Sequence, residues 1–128
     1  MHPETVPDLI VGRVRGIASL LEEQRRFWRE ATGQDLNSDL FFTSVVVPFV
    51  VGLLKGRRSD VQESELRELF DLIELLTEDE NPAVRALIDI SFCEQLLSDS
   101  EAFDAALAYM GPSMKAGALT IRRNLLGS

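Results

Sequence analysis

The chain is 128 residues long, 45% apolar and 27% charged, with 13 basic and 21 acidic side chains and a formal net charge of −8. That length suits one domain, 1–128, with a core of its own, and the single cysteine, Cys93, excludes an internal disulfide and a multi-cysteine metal site. The charge has a location: between Asp60 and Asp104 fourteen carboxylates face only Arg67 and Arg85, a balance of −12, while the rest of the chain sums to +4.

A field of that kind gathers a basic partner and repels nucleic acid and anionic lipid. The opening Met1-His2-Pro3-Glu4-Thr5-Val6-Pro7 has neither the basic start nor the apolar run of a secretory signal. A cytoplasmic location is therefore expected, with residues 1–7 frayed.

In the first segment Ile10, Val14, Ile17, Leu21 and Trp28 return every three, four or seven residues, which predicts a helix with one apolar stripe. Thr32-Gly33 ends it, and Gly12 and Gly16 offer places for close helix contact. Glu22 with Arg26 and Arg26 with Glu30 are i,i+4 pairs that mark the wet side.

Leu40 to Leu54, LFFTSVVVPFVVGLL, is almost wholly apolar, yet it falls short of the roughly 20 residues that a helix needs to span hydrocarbon. With Asn37-Ser38-Asp39 before it and Lys55-Gly56 after it, the segment reads as a buried helix, although its valine run leaves a strand alternative open. Pro48 removes a backbone donor, so a break is expected near Val47.

The acidic middle opens on two overlapping capping boxes, Ser59 with Gln62 and Asp60 with Glu63. Leu66, Leu69, Phe70, Ile73 and Leu76 then form an inward stripe. Arg67, Asp71, Glu74 and Glu78 fall opposite it, with Glu68 and Leu72 at the margin. Asn81-Pro82 starts a further helix, asparagine as the cap and proline in the first turn.

From Val84 to Leu97 that helix is apolar around most of its circumference, which predicts a central position and a buried Cys93 thiol. Arg85 and Asp89, four apart, read as an ion pair or a polar notch at the edge of the core. Ser98 or Ser100 caps a short helix bearing Phe103, Leu107 and Met110. Gly111-Pro112 launches the last one, which carries Met114, Leu119, Ile121 and Leu125.

Together these elements predict an all-α fold, a single compact bundle of about five to six antiparallel helices, with HEAT-like helical hairpins as the other arrangement. The stretch from Glu65 to Asp99, with Tyr109-Met110-Gly111-Pro112 after it, carries the pattern LxxxFxxIELL, an acidic turn, and xxVxxxxxxxFxExL. Leu66, Phe70, Ile73, Glu74, Leu75 and Leu76 match its first part, and Val84, Phe92, Glu94 and Leu96 its second. In this the chain resembles a group of small all-helical bacterial proteins, most of them uncharacterised, that includes immunity-type proteins neutralising toxins of bacterial competition. The likeness covers about half the chain and rests on core and turn positions, so it implies fold before activity. Cys93 departs from it, because a larger aliphatic residue is usual there.

Enzymatic readings lack parts. The only histidine is His2, no phosphate-binding glycine loop occurs, and the run through Asp79 and Asn81 lacks the glycine of a calcium loop. Asp71 with Glu74, or Glu78 with Asp79, are carboxylate pairs that read as a solvated face rather than a metal site. Arg13, Arg15, Arg25, Arg26 and Arg29, with Phe27 and Trp28, are the one feature suited to phosphate, but Glu22, Glu23 and Glu30 interleave with them. The chain is accordingly expected to be no enzyme, to need no cofactor or metal, and to bind neither nucleic acid nor membrane.

What remains is a protein-interaction module. Glu68, Asp71, Glu74, Glu78, Asp79 and Glu80 are the expected contacts to a basic protein, a toxin if the immunity reading holds, with Leu72 and Leu75 as candidate anchors. The alternative is a structural or regulatory subunit, a homodimer, associating through Leu40 to Leu54 or through the first helix.

Overall fold

The computed structural model describes residues 1–127, and no strand occurs among them. The fold is all-α. A short 3-10 turn, Pro3–Thr5, leads into α1 (Val6–Arg13) and α2 (Gly16–Thr32). Ile10, Val14, Ile17 and Leu21 of the predicted stripe are buried, whereas Trp28 is half-buried and outside the core, and the helix is not continuous: Val14 adopts φ −121°, ψ 90°. The interruption falls where glycine has weak helix propensity and where the backbone N–H of Gly16 gains a side-chain partner, described below. Gly33, at φ 73°, closes α2 in the left-handed conformation that glycine adopts without steric penalty. Residues 1–7, where fraying was expected, include the buried Val6. The Met1 carbonyl accepts from Asn81 Nδ2 (2.9 Å), and the Pro3 carbonyl from Ser38 Oγ (2.8 Å).

The apolar segment forms α3 (Ser38–Phe41), a π turn (Phe42–Val46) and α4 (Val47–Lys55). Asn37 Oδ1 caps its start through the N–H of Leu40 at 2.8 Å. Pro48 does not break the chain. The N–H of Val47 reaches back five residues to the Phe42 carbonyl, and the wider turn accommodates proline in the first turn of α4. The whole stretch Ser38–Lys55 is 18 residues of mean hydropathy 1.6, long and apolar enough to cross a membrane by those two measures. Phe41, Phe42, Val45, Val46 and Val50 are nonetheless buried in the protein core.

α5 (Asp60–Thr77) uses the first of its two possible capping boxes: Ser59 Oγ accepts from Gln62 N–H and Gln62 Oε1 from Ser59 N–H. Its inward stripe is buried, with Leu72 added to it. Asn81 Oδ1 caps α6 (Pro82–Ala86), which continues as a π segment, Leu87–Glu94. That segment packs against α3, the first π turn, α5 and α8, the central position that its all-round hydrophobicity predicted. Ile90 is the exception and faces solvent. α7 (Ser100–Leu107) is capped by Asp99, not by either flanking serine; its Oδ1 accepts from Ala102 N–H at 3.1 Å. α8 (Pro112–Leu126) buries Met114 and Ala118, while Leu125 is exposed.

A chain of aromatic contacts ties the layers together. Phe41, Phe42, Phe92, Phe70 and Tyr109 follow one another at centroid separations of 5.7, 6.3, 6.0 and 5.7 Å, the first three pairs edge to face. Edge-to-face pairs add about 0.5–1.5 kcal/mol each beyond the area they bury. This chain links the apolar segment, the central π segment and α5, so it fixes the rotation of α5 about its own axis. That rotation decides which carboxylates meet solvent.

Candidate functional site

α5 carries most of the acidic face, and the buried stripe leaves its other positions to two flanks and an outer ridge. On one flank Glu65 turns inward. Its Oε2 accepts from the N–H of Gly16 at 3.0 Å, which satisfies a donor left open at the start of α2 and places a carboxylate at the positive end of that helix. A Cβ at position 16 would collide with this carboxylate, and would also lie 3.2 Å from the Phe49 ring.

On the other flank Glu74 does the same for α8. Its Oε1 accepts from Ser113 N–H at 2.8 Å and its Oε2 from Met114 N–H at 3.0 Å. Gly111 makes room for it, since a Cβ there would fall 2.5 Å from Glu74 Cδ. Glu74 therefore belongs to the scaffold. Its neighbour Glu78 remains exposed but accepts from Ser113 Oγ at 2.7 Å.

The expected contact residues thus divide. Glu68 Oε1 is 3.4 Å from Arg13 Nη1, an exposed pair that contributes little to stability. Among the described residues this is the one direct ion pair between an arginine of the opening segment and the six. Asp79 Oδ2 is 3.3 Å from the N-terminal amine and accepts from Asn81 N–H at 2.9 Å. The Asn81 hydrogen bond, with the amine assisting, holds the Asp79 carboxyl below its ordinary value. Asp71 and Glu80 are exposed, and their side chains make no hydrogen bond or ion pair among the described residues. Of the two candidate anchors, Leu72 is core, whereas Leu75 is 67% exposed on the ridge between Asp71 and Glu78.

Beside the start of α5 lies a cluster that sequence reasoning missed. Tyr109 Oη donates to both Glu63 oxygens, and Arg58 binds three groups around it: Tyr109 Oη at 2.9 Å, Glu63 Oε2 at 3.3 Å and the Leu53 carbonyl at 2.7 Å. Arg67 stacks over the Tyr109 ring at 5.3 Å. The Tyr109 hydrogen bond, opposed by partial burial and aided by both arginines, lowers the Glu63 carboxyl, while burial first and Glu63 second raise the tyrosine. Nothing in the local spacing of Arg58 or Tyr109 signals this, because the partners stand 51 positions apart.

Of the two readings of Arg85 and Asp89, an ion pair or a polar notch, the ion pair is not formed among the described residues. Arg85 Nη1 instead donates to the carbonyls of Asp79 (2.6 Å) and Glu80 (3.2 Å), tying down the acidic turn. Asp89 sits close enough to the core for desolvation to raise its carboxyl, with Arg85 opposing. The Cys93 thiol is buried, and desolvation, assisted by Asp89, pushes it up to about 12. Among the described residues no three His, Cys, Asp or Glu side chains are grouped to hold a metal ion. A cavity of about 300 Å³ opens between α1, α2 and α3, lined by Pro3, Pro7, Leu21, Arg25, Leu36 and Phe41.

Residues 7–124 match the family described as a domain of unknown function, DUF7674, and the chain belongs to it. No curated protein and no solved structure matches the chain.

Proposed function

We propose that this chain is a non-catalytic interaction module whose acidic helical face binds a basic partner protein. The observation that carries the reading is the outer ridge of α5. Asp71 and Glu78 are exposed there around the solvent-facing Leu75, with Glu80 on the adjoining turn. Carboxylates left exposed on a rigid helix steer a basic surface towards them, raising association rates about 10 to 1,000-fold at low ionic strength. An apolar side chain among them gives the complex a contact that excludes water and slows dissociation. The narrower reading is an immunity protein for a toxin whose cleft receives phosphate backbone. It draws on the resemblance of Glu65–Asp99 to immunity-type proteins and on the fit of carboxylates to such a cleft.

Pull-down of a basic protein, with the wild type and with an Asp71→Lys/Glu80→Lys variant of unchanged thermal transition, tests the broader reading. Retention lost in the variant and released by salt is expected. Retention that survives both charge reversal and high salt would sink the acidic-face assignment. A second reading, self-association through the first helical segment, draws on Phe27, which is 60% exposed on α2. A dimer that persists at high salt and dissociates on Phe27→Ser would favour it.

A further inference from the structure

We infer that the outer ridge of α5 takes one kind of partner, a basic amphipathic helix laid lengthwise along it. This inference rests on the docking function proposed above and specifies the partner's shape. The ridge comprises Val61, Ser64, Glu68, Asp71, Leu75 and Glu78, separated by three, four, three, four and three residues. That alternation is the seam spacing by which one helix packs along another. Val61 and Leu75, both 67% exposed, stand two heptads apart. At 1.5 Å per residue they are about 21 Å from each other along the axis, and a straight helix turns only about 40° between them. They are therefore two apolar anchor points on nearly one line.

The charges between the anchors are Glu68 and Asp71, and Glu78 lies one turn beyond Leu75. A facing helix with Lys or Arg in that interval and apolar side chains two heptads apart would match both features at once. A second copy of this chain does not fit as well, because the same ridge would set Glu68 and Asp71 against their own counterparts. Strand addition has no template, since no sheet edge exists among the described residues. On the flanks Glu65 and Glu74 turn away from the ridge to the starts of α2 and α8, and the ridge itself is met only at its charges, Glu68 by Arg13 at 3.4 Å and Glu78 by Ser113 Oγ at 2.7 Å, which leaves Val61, Asp71 and Leu75 open.

The probe is a synthetic helix of about 20 residues with two leucines two heptads apart and lysines on the same face between them. Its control is a scrambled peptide of identical composition, and binding is read by fluorescence anisotropy on the full chain. Serine at Val61 and Leu75 together is expected to weaken binding about tenfold, and Asp71→Lys by a similar factor. The scrambled peptide is expected to bind about tenfold more weakly. All three substitutions lie on exposed positions and leave the fold intact. No binding of the probe, or equal affinity for the serine pair and for the scrambled peptide, overturns the helix-in-register inference. If the probe binds with that equal affinity and Asp71→Lys still weakens it, the acidic docking function stands without the helix register. If Asp71→Lys has no effect either, both fall. A chain that dimerises, and becomes monomeric on Leu75→Ser, would show the ridge occupied by a second copy and refute the inference.

Discussion

Asp71 and Glu74 lie less than one turn apart on α5, carry the same charge, and occur in the same amphipathic pattern, yet they belong to different parts of the molecule. Glu74 is drawn to the flank by two backbone donors at the start of α8, whereas Asp71 meets none and stays in solvent. Glu65 repeats the behaviour of Glu74 on the opposite flank, against α2. A carboxylate row on a helical wheel is thus one surface only until the neighbouring helices are placed. Wherever a helix start arrives beside the row, its open N–H groups and positive dipole end draw the nearest carboxylate out of the exposed row and into the scaffold.

The comparison can be broken from the buried side. Phe70 joins the aromatic chain from α5 to both Phe92 and Tyr109, and its truncation to alanine is expected to lower stability by about 3–5 kcal/mol in chemical denaturation. A loss near 1 kcal/mol would mean that the core does not hold α5 in its rotation.

The flank and the ridge are then separated directly. Glu74→Ala is expected to cost about 1–2 kcal/mol, through the two N–H groups of α8 left without partners, and Asp71→Ala less than about 0.5 kcal/mol. Gly111→Ala should destabilise by about 1–3 kcal/mol in the wild type and markedly less in the Glu74→Ala background, because the added methyl then has room. Equal effects of Glu74→Ala and Asp71→Ala would erase the distinction between scaffold and ridge.

The smallest effect is in acid. Asp35, Glu63, Asp79 and Asp99 have carboxyls lowered in the folded chain, first by the Leu36 N–H, by Tyr109, by the Asn81 N–H and by Lys55 respectively. A lowered folded value means that the stabilisation is fully present above the ordinary values, 3.8 for Asp and 4.5 for Glu, and disappears as pH falls through the folded ones. Asp89, raised by desolvation, acts with the opposite sign. Thermal midpoints should therefore decline below about pH 4 and vary little between 5 and 8, and a midpoint that rises on acidification would contradict these assignments.

The fold was legible because its signals are local. The buried stripe of α5, the Ser59 and Asn81 caps and the glycine stop at Gly33 each depend on residues a few positions apart. Pro48 was read correctly as a disturbance but not as a π turn, since a missing donor signals a defect in the helix without saying which wider hydrogen bond, here Val47 N–H to the Phe42 carbonyl, absorbs it. The site was less legible. Leu72 and Leu75 look alike in sequence, and only the direction of the core makes the first buried and the second exposed. Arg58 with Tyr109, and Glu65 with Gly16, are joined across 51 and 49 positions, beyond the reach of any periodicity.

The fit of Glu74 into the space that Gly111 leaves open ties two distant codons to one another. With the carboxylate present, position 111 has no room for even a methyl group without displacement, and with it gone the constraint lapses. Substitutions at 74 and 111 should accordingly be inherited as a couple in descendants of this chain, and a lineage that keeps the acid while enlarging residue 111 would have had to swing that carboxylate off the start of its last helix.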